Sequence, residues 1–188
     1  MKILCLYNND CALPLFEKLK EMGHETVLCS ERLSVPEVRA GDYDLAVSYT
    51  YRYILTGELL EALHGNAVNL HNSYLPFNRG ADPNLWSIKE GTPRGVTLHY
   101  MDESLDKGYI IAQRLVTEGD GETLKSSYDN LDRNAQELFF EAFCFYEHWP
   151  EMKKKPLGKG TYHSVKDGAQ MKEKIPSYDM KITDFRTL

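Results

Sequence analysis

The chain predicts an α/β fold with a mostly parallel central sheet flanked by helices. Three observations carry this prediction. Apolar runs of strand length recur along the chain, stretches with apolar residues at helical spacing separate them, and turn-forming residues mark the boundaries. At 188 residues, 42% hydrophobic and 27% charged, the chain is long enough for one domain with a sizeable core.

Taken in order, residues 2–7 (Lys-Ile-Leu-Cys-Leu-Tyr) read as a buried strand, closed by the turn-prone Asn8-Asn9-Asp10. Leu13, Leu15, Phe16, Leu19 and Met22 then recur at helical spacing, with Gly23 placed as a C-terminal cap. Residues 24–29 predict a second strand. After a short acidic, Pro-containing connection, residues 44–49 predict a third. Residues 55–63 read as a helix that Gly65-Asn66 ends before a fourth strand at 67–70. In the second half, residues 83–90 predict a short helix. Residues 95–101 and 109–116 predict two strands joined by an acidic, Gly-containing loop. A long helix follows from Thr123 to roughly Trp149, with Leu124, Tyr128, Leu131, Leu138 and Phe139 on its apolar face. From Pro150 the chain is rich in Lys, Gly and Pro, which predicts a surface wrapping or small strands. The expected organisation is a catalytic domain at 1–150 and a short extension at 151–188 packed on it.

A net charge of −6 argues against general affinity for nucleic acid or anionic membranes, while leaving room for a local basic pocket. Cys5, Cys11, Cys29 and Cys144 form no CxxC pair and have no zinc spacing, so reduced structural thiols and no metal are expected. The apolar run at the N-terminus is too short for a signal peptide. No segment approaches the roughly 18 apolar residues of a membrane helix, and a cytoplasmic protein is expected.

The chemistry concentrates in residues 67–83. Asn69 and His71 are two apart at the end of an apolar run, so on a strand they project from one face. In open parallel sheets ligands gather at the carboxyl ends of strands. An amide N–H and an imidazole N–H there can both address a developing oxyanion, and the imidazole can exchange protons near neutral pH. Asp106, in Leu105-Asp106-Lys107-Gly108, offers a carboxylate; the alternative is a solvated turn in which Gly108 supplies a positive φ. Arg79-Gly80 is placed either to bind a phosphate or carboxylate or to brace its loop. Trp86 reads as core, and His99 as a packed or inter-strand residue. No P-loop, GxGxxG or GxSxG motif is present.

These blocks resemble the folate-dependent formyltransferase family, which includes glycinamide ribonucleotide and methionyl-tRNA formyltransferases. The resemblance runs through Asn69-Leu70-His71, Ser73-Tyr74-Leu75-Pro76, Arg79-Gly80, Gly95-Val96-Thr97-Leu98-His99 and Leu105-Asp106-Lys107-Gly108. Within the family, the stretches 72–76, 78–87 and 92–97, continued by Thr123-Leu124 and Ser127-Tyr128, are most similar to sugar N-formyltransferases.

The resemblance implies a Rossmann-like formyltransferase fold and transfer of a formyl group from N10-formyltetrahydrofolate to a primary amine, that of a nucleotide-linked amino sugar. An amine attacking the formyl carbon gives a tetrahedral oxyanion, which Asn69 and His71 would stabilise. Asp106 would orient His71 or a water. The pterin would lie against Arg52, Tyr53, Ile54 and Leu55 and against the loop carrying Asp102 and Leu105. The amine would enter past Asn8, Asn9, Cys11, Asn78, Arg79 and Gly80. Many relatives carry a further C-terminal domain, whereas 39 residues follow Trp149 here. With the acidic charge, this disfavours tRNA and leaves a homodimer open. Three alternatives stand beside this reading. Glycinamide ribonucleotide formylation is disfavoured by Asn72, where that branch has proline. A formyltetrahydrofolate hydrolase is disfavoured because the first strand begins at residue 2. The third is a folate-binding protein without turnover.

Overall fold

The computed structural model describes residues 1–188. β1 (Lys2–Leu6) leads through a 3-10 turn into α1 (Leu13–Glu21), then β2 (Glu25–Cys29), α2 (Val35–Gly41), β3 (Leu45–Tyr49), α3 (Gly57–Ala62) and β4 (Ala67–His71). A two-residue β5 (Arg79–Gly80), α4 (Pro83–Glu90), β6 (Gly95–Tyr100), β7 (Ile110–Leu115) and the long α5 (Leu124–Phe143) follow. The chain closes with α6 (Trp149–Met152), β8 (Tyr162–His163), α7 (Val165–Lys172) and α8 (Ile182–Thr187).

Six strands form one sheet in the order β2-β1-β3-β4-β6-β7. The first four pair in parallel, and β6 and β7 add antiparallel. Strand alternation divides the core. Ile3 and Cys5 face α1 and α5, in a cluster with Phe16, Leu19, Val47, Val68, Leu131, Phe139 and Trp149. Leu4 and Leu6 face α2 and α3, with Val38, Leu55, Leu59, Leu60 and Leu63. Burial on both faces is why β1 and β3 are largely apolar, broken only by Lys2 and Ser48. No helix is long and apolar enough to cross a membrane.

Three local differences from the sequence expectation have identifiable causes. The connection before β3 contains α2, whose Ser34 and Glu37 form a capping box with Pro36 in the first turn. The long helix ends at Phe143, short of Trp149. The tail holds most of α6 and two further helices as well as a strand. α7 is capped by Ser164 with Asp167, and α8 buries Ile182 and Phe185 against Leu85, Ile88 and Leu124. Their stability comes from this packing more than from intrinsic propensity.

Candidate active site

β4 is the seam of the sheet, parallel to β3 on one side and antiparallel to β6 on the other. Val68 and Leu70 point into the α1/α5 core, so Asn69 and His71 point to the opposite face. Asn69 is the one half-buried residue of β4. The β4–β6 register sets Asn69 opposite His99, and His71 opposite Thr97. Directly opposed side chains on one face of an antiparallel pair come into contact, and Asn69 Nδ2 lies 3.3 Å from His99 Nε2.

The tautomer of His99 follows from its partners. Nδ1 is 2.8 Å from the Tyr100 carbonyl, which only accepts, so Nδ1 carries the proton. Burial lowers the His99 pKa, against the opposing pull of Asp106, and favours the neutral ring. Nε2 is then an acceptor and takes one N–H of Asn69. The second N–H of Asn69 has no protein partner.

Asp106 lies between the two imidazoles. Its Oδ1 is 3.7 Å from His99 Nε2 and its Oδ2 3.7 Å from His71 Nε2, with the carboxylate almost wholly buried. The Gly80 backbone N–H donates to Oδ2 at 2.8 Å. His71 Nε2 donates to the Asn78 carbonyl at 3.0 Å. The two rings are perpendicular, their centroids 6.5 Å apart. Asp106 itself, not Gly108, adopts the left-handed conformation, at φ 53°. Gly108 is required for a different reason: a Cβ there would sit 1.7 Å from the Tyr100 carbonyl oxygen. That close approach folds the 102–108 loop back onto the end of β6.

The segments expected to hold a cofactor are neighbours. Glu103 lies over Gly57, at the start of α3. Ile54 and Leu105 are apolar yet 63% and 39% exposed, whereas the Leu55 side chain is buried in the core. Arg52 and Tyr53 line a polar cleft of about 370 Å³ together with Tyr7, Asn8, Asp10, Ser30 and Glu31. This cleft opens at the carboxyl ends of β1, β2 and β3, where the chain direction across the sheet switches. Asp102 caps the turn of its own loop, accepting from the Ser104 N–H at 2.8 Å.

The residues expected on the acceptor side serve mostly internal contacts. Asn8 donates to the Ser30 carbonyl at 2.7 Å and accepts the Arg52 N–H at 2.8 Å, tying three strand ends together. Asn9 accepts from the Cys11 N–H. Burial pushes the Cys11 thiol up to about 11, and its Sγ sits 3.6 Å from the Tyr128 hydroxyl. Asn78 is fully buried, its amide enclosed by Thr92 and Thr161 hydroxyls. The Arg79 Nε donates to the Thr161 carbonyl, and the rest of its guanidinium is without a protein partner.

Two groups near the site have little or no signal in the sequence. His99 was visible as a strand residue, but its place beside Asn69 depends on the β4–β6 register. Beside His71, Asn72 donates to the Tyr49 hydroxyl at 3.2 Å, and Tyr49 donates to Asp132 on α5. The departure from proline at Asn72 was the only signal for that network. Trp86, expected as core, is half-buried and stacks on the His163 ring at 3.8 Å.

A formyl transferase family model matches residues 13–143. The chain is 32% identical over 130 residues to the dTDP-4-amino-4,6-dideoxyglucose formyltransferase of Mycobacterium tuberculosis, covering 69% of this chain and 55% of that protein. It is 37% identical over 106 residues to a methionyl-tRNA formyltransferase of Listeria monocytogenes, covering 56% of this chain and 34% of that protein. It thus spans about half or less of the length of these curated relatives. Among solved structures, the formyltransferase PseJ from Anoxybacillus kamchatkensis matches with 33% identity and a TM-score of 0.86, over 98% of this chain and 97% of that one. The PseJ structure holds UDP-4,6-dideoxy-4-formamido-L-AltNAc and tetrahydrofolate. With its Rossmann-like sheet and a family match that spans most of its length, the chain belongs to the formyl transferase family.

Proposed function

We propose that this protein transfers a formyl group from N10-formyltetrahydrofolate to the amino group of a nucleotide-linked amino sugar. The observation that carries the reading is the convergence of Asn69, His71, His99 and Asp106 at the carboxyl end of β4. The likeness to PseJ, nearly complete in both chains, supports a sugar-nucleotide amine as the acceptor.

The residues fit a folate co-substrate. Ile54 and Leu105 present exposed apolar side chains, and Glu103 lies over Gly57, so the two segments that carry them are neighbours. When bound, N10-formyltetrahydrofolate supplies the formyl carbon. The free N–H of Asn69 would then stabilise the negative charge that develops on the formyl oxygen as the amine adds. His99, neutral and locked by Tyr100, fixes the rotamer of that amide. His71 would take the proton that the amine loses and return one to the folate nitrogen as its bond to the formyl carbon breaks, and Asp106, 3.7 Å from its Nε2, would stabilise the ring while it is charged. On the acceptor side, the unpartnered part of the Arg79 guanidinium and the Gly80 loop meet the substrate, while Asn8, Asn9, Cys11 and Asn78 shape the walls. A net charge of −6 supports a small-molecule acceptor over tRNA. Four unpaired thiols support a cytoplasmic setting.

The test is an assay of the full chain with N10-formyltetrahydrofolate and a panel of UDP- and dTDP-linked amino sugars, with glycinamide ribonucleotide as control. The expected result is tetrahydrofolate release that depends on an amino-sugar nucleotide and yields its formamide. Transfer to glycinamide ribonucleotide alone, or folate hydrolysis without any acceptor, would overturn the reading.

A further inference from the structure

We infer that Thr161 and the strand β8, which lie beyond the part of the chain matched by the family model, are a positioning element of the active site. Thr161 holds the Asn78–Gly80 segment so that His71 and Asp106 keep their partners. The inference rests on the formyl-transfer reading of that site.

Thr161 grips two successive residues through both its side chain and its backbone. Its Oγ1 accepts the Asn78 N–H at 2.8 Å and lies 3.0 Å from the Asn78 side-chain amide. Its carbonyl accepts the Arg79 N–H at 3.1 Å and the Arg79 Nε–H at 3.2 Å. β8 then runs parallel to β5, pairing Arg79 with Tyr162 and Gly80 with His163. Asn78 is held at φ 54°, a left-handed conformation that is uncommon outside glycine and that asparagine tolerates best. In that conformation its carbonyl receives the His71 Nε2–H. Two residues on, the Gly80 N–H meets Asp106.

One short segment of the tail therefore sets an acceptor for the imidazole and a donor for the carboxylate. The tail is itself anchored. His163 stacks on Trp86 of α4, and Met171, Ile182 and Phe185 pack against Leu85, Ile88 and Leu124. A merely structural tail would need only the second anchor. The side-chain grip of Thr161 on Asn78 serves the site.

The experiment compares the full chain with Thr161→Val, Thr161→Ala and Thr161→Ser, measuring kcat, KM for folate and amine, and the pH profile of kcat. Thermal unfolding supplies the folded fraction, and Thr161→Ala replaces Thr161→Val if the latter does not fold. Loss of the hydroxyl should lower kcat about tenfold, the size of one lost hydrogen bond expressed at the transition state, and displace the pH profile. Both KM values should stay within about twofold, and Thr161→Ser should retain wild-type behaviour. Wild-type kcat and pH profile in the variants without the hydroxyl overturn the inference, as does an equal loss in Thr161→Ser. If the wild type transfers formyl to no amine, the functional reading fails on its own. The positioning claim is then decided by the 15N resonance of His71 Nε2, which should move in Thr161→Ala and stay in Thr161→Ser. An unmoved resonance in Thr161→Ala overturns it.

Discussion

Asn69 and His99 face each other across the antiparallel pair β4–β6, and the Asn69 amide donates to His99 Nε2 at 3.3 Å. The 2.8 Å bond from His99 Nδ1 to the Tyr100 carbonyl makes that acceptor role obligatory in the neutral ring. The amide is thereby held with one N–H spent on His99 and the other turned to the open side of β4.

Asn69→Ala removes the donor and should lower kcat by on the order of 10²–10³ while the fold is retained, since the position is only half-buried. Steady-state kinetics beside a thermal melt decide the matter, and wild-type turnover in the variant would rule out the oxyanion role.

His99 links stability to pH. Burial lowers its pKa in the folded protein below the ordinary histidine value near 6.5, so the unfolded chain binds the proton first as pH falls. Its contribution is fully present above about pH 6.5 and is lost progressively as pH drops toward the folded value. Denaturant midpoints across pH 5 to 7.5 should fall on the acid side, with a shallower slope in His99→Gln. An identical slope in that variant would contradict the assignment.

Gly80 sits at φ 90°, and a Cβ there would lie 2.2 Å from the His163 carbonyl oxygen. Gly80→Ala must break the β5–β8 pairing or move the N–H away from Asp106. A loss of about 1–3 kcal/mol of stability is expected, accompanied by a fall in kcat larger than the loss of folded protein explains. Urea denaturation and kinetics on the same preparation separate the two effects.

Arg94 and Glu122 form a bidentate pair at 3.0 and 3.3 Å with both side chains buried, and Arg94 also donates to Ser127. Arg94→Met leaves the Glu122 carboxylate buried without its counter-charge, for an expected cost of about 3–5 kcal/mol. The double variant Arg94→Met with Glu122→Leu should recover much of that loss in urea denaturation. No recovery would mean that the pair's surroundings, not its charge, carry the effect.

The elements most legible in the sequence were those with their own periodicity. β1, α1, β3 and α4 lie within a residue or so of expectation because apolar spacing is a local property. α2 is hard to see in the sequence although Ser34 and Glu37 carry its capping signature, because seven residues offer little periodic signal. β5 and β8 are two residues each and have no period at all. Gly108 fits a simple turn glycine in the sequence, and its reason is the nearness of the Tyr100 carbonyl, which no local pattern encodes.

The α/β class, the family resemblance and the pairing of Asn69 with His71 are local properties of the chain, because two residues apart on a strand share a face wherever that strand sits. What that pair meets depends on how distant elements dock. His99 is 30 residues from Asn69, and Thr161 is 83 from Asn78. Sheet register brought the first of these distant residues into place. Loop closure over Gly108 brought Asp106 between the imidazoles, and the packing of the tail brought Thr161 to Asn78. Such contacts between distant positions depend on how separate elements dock, and a one-residue slip in the β4–β6 register would turn His99 to the other face.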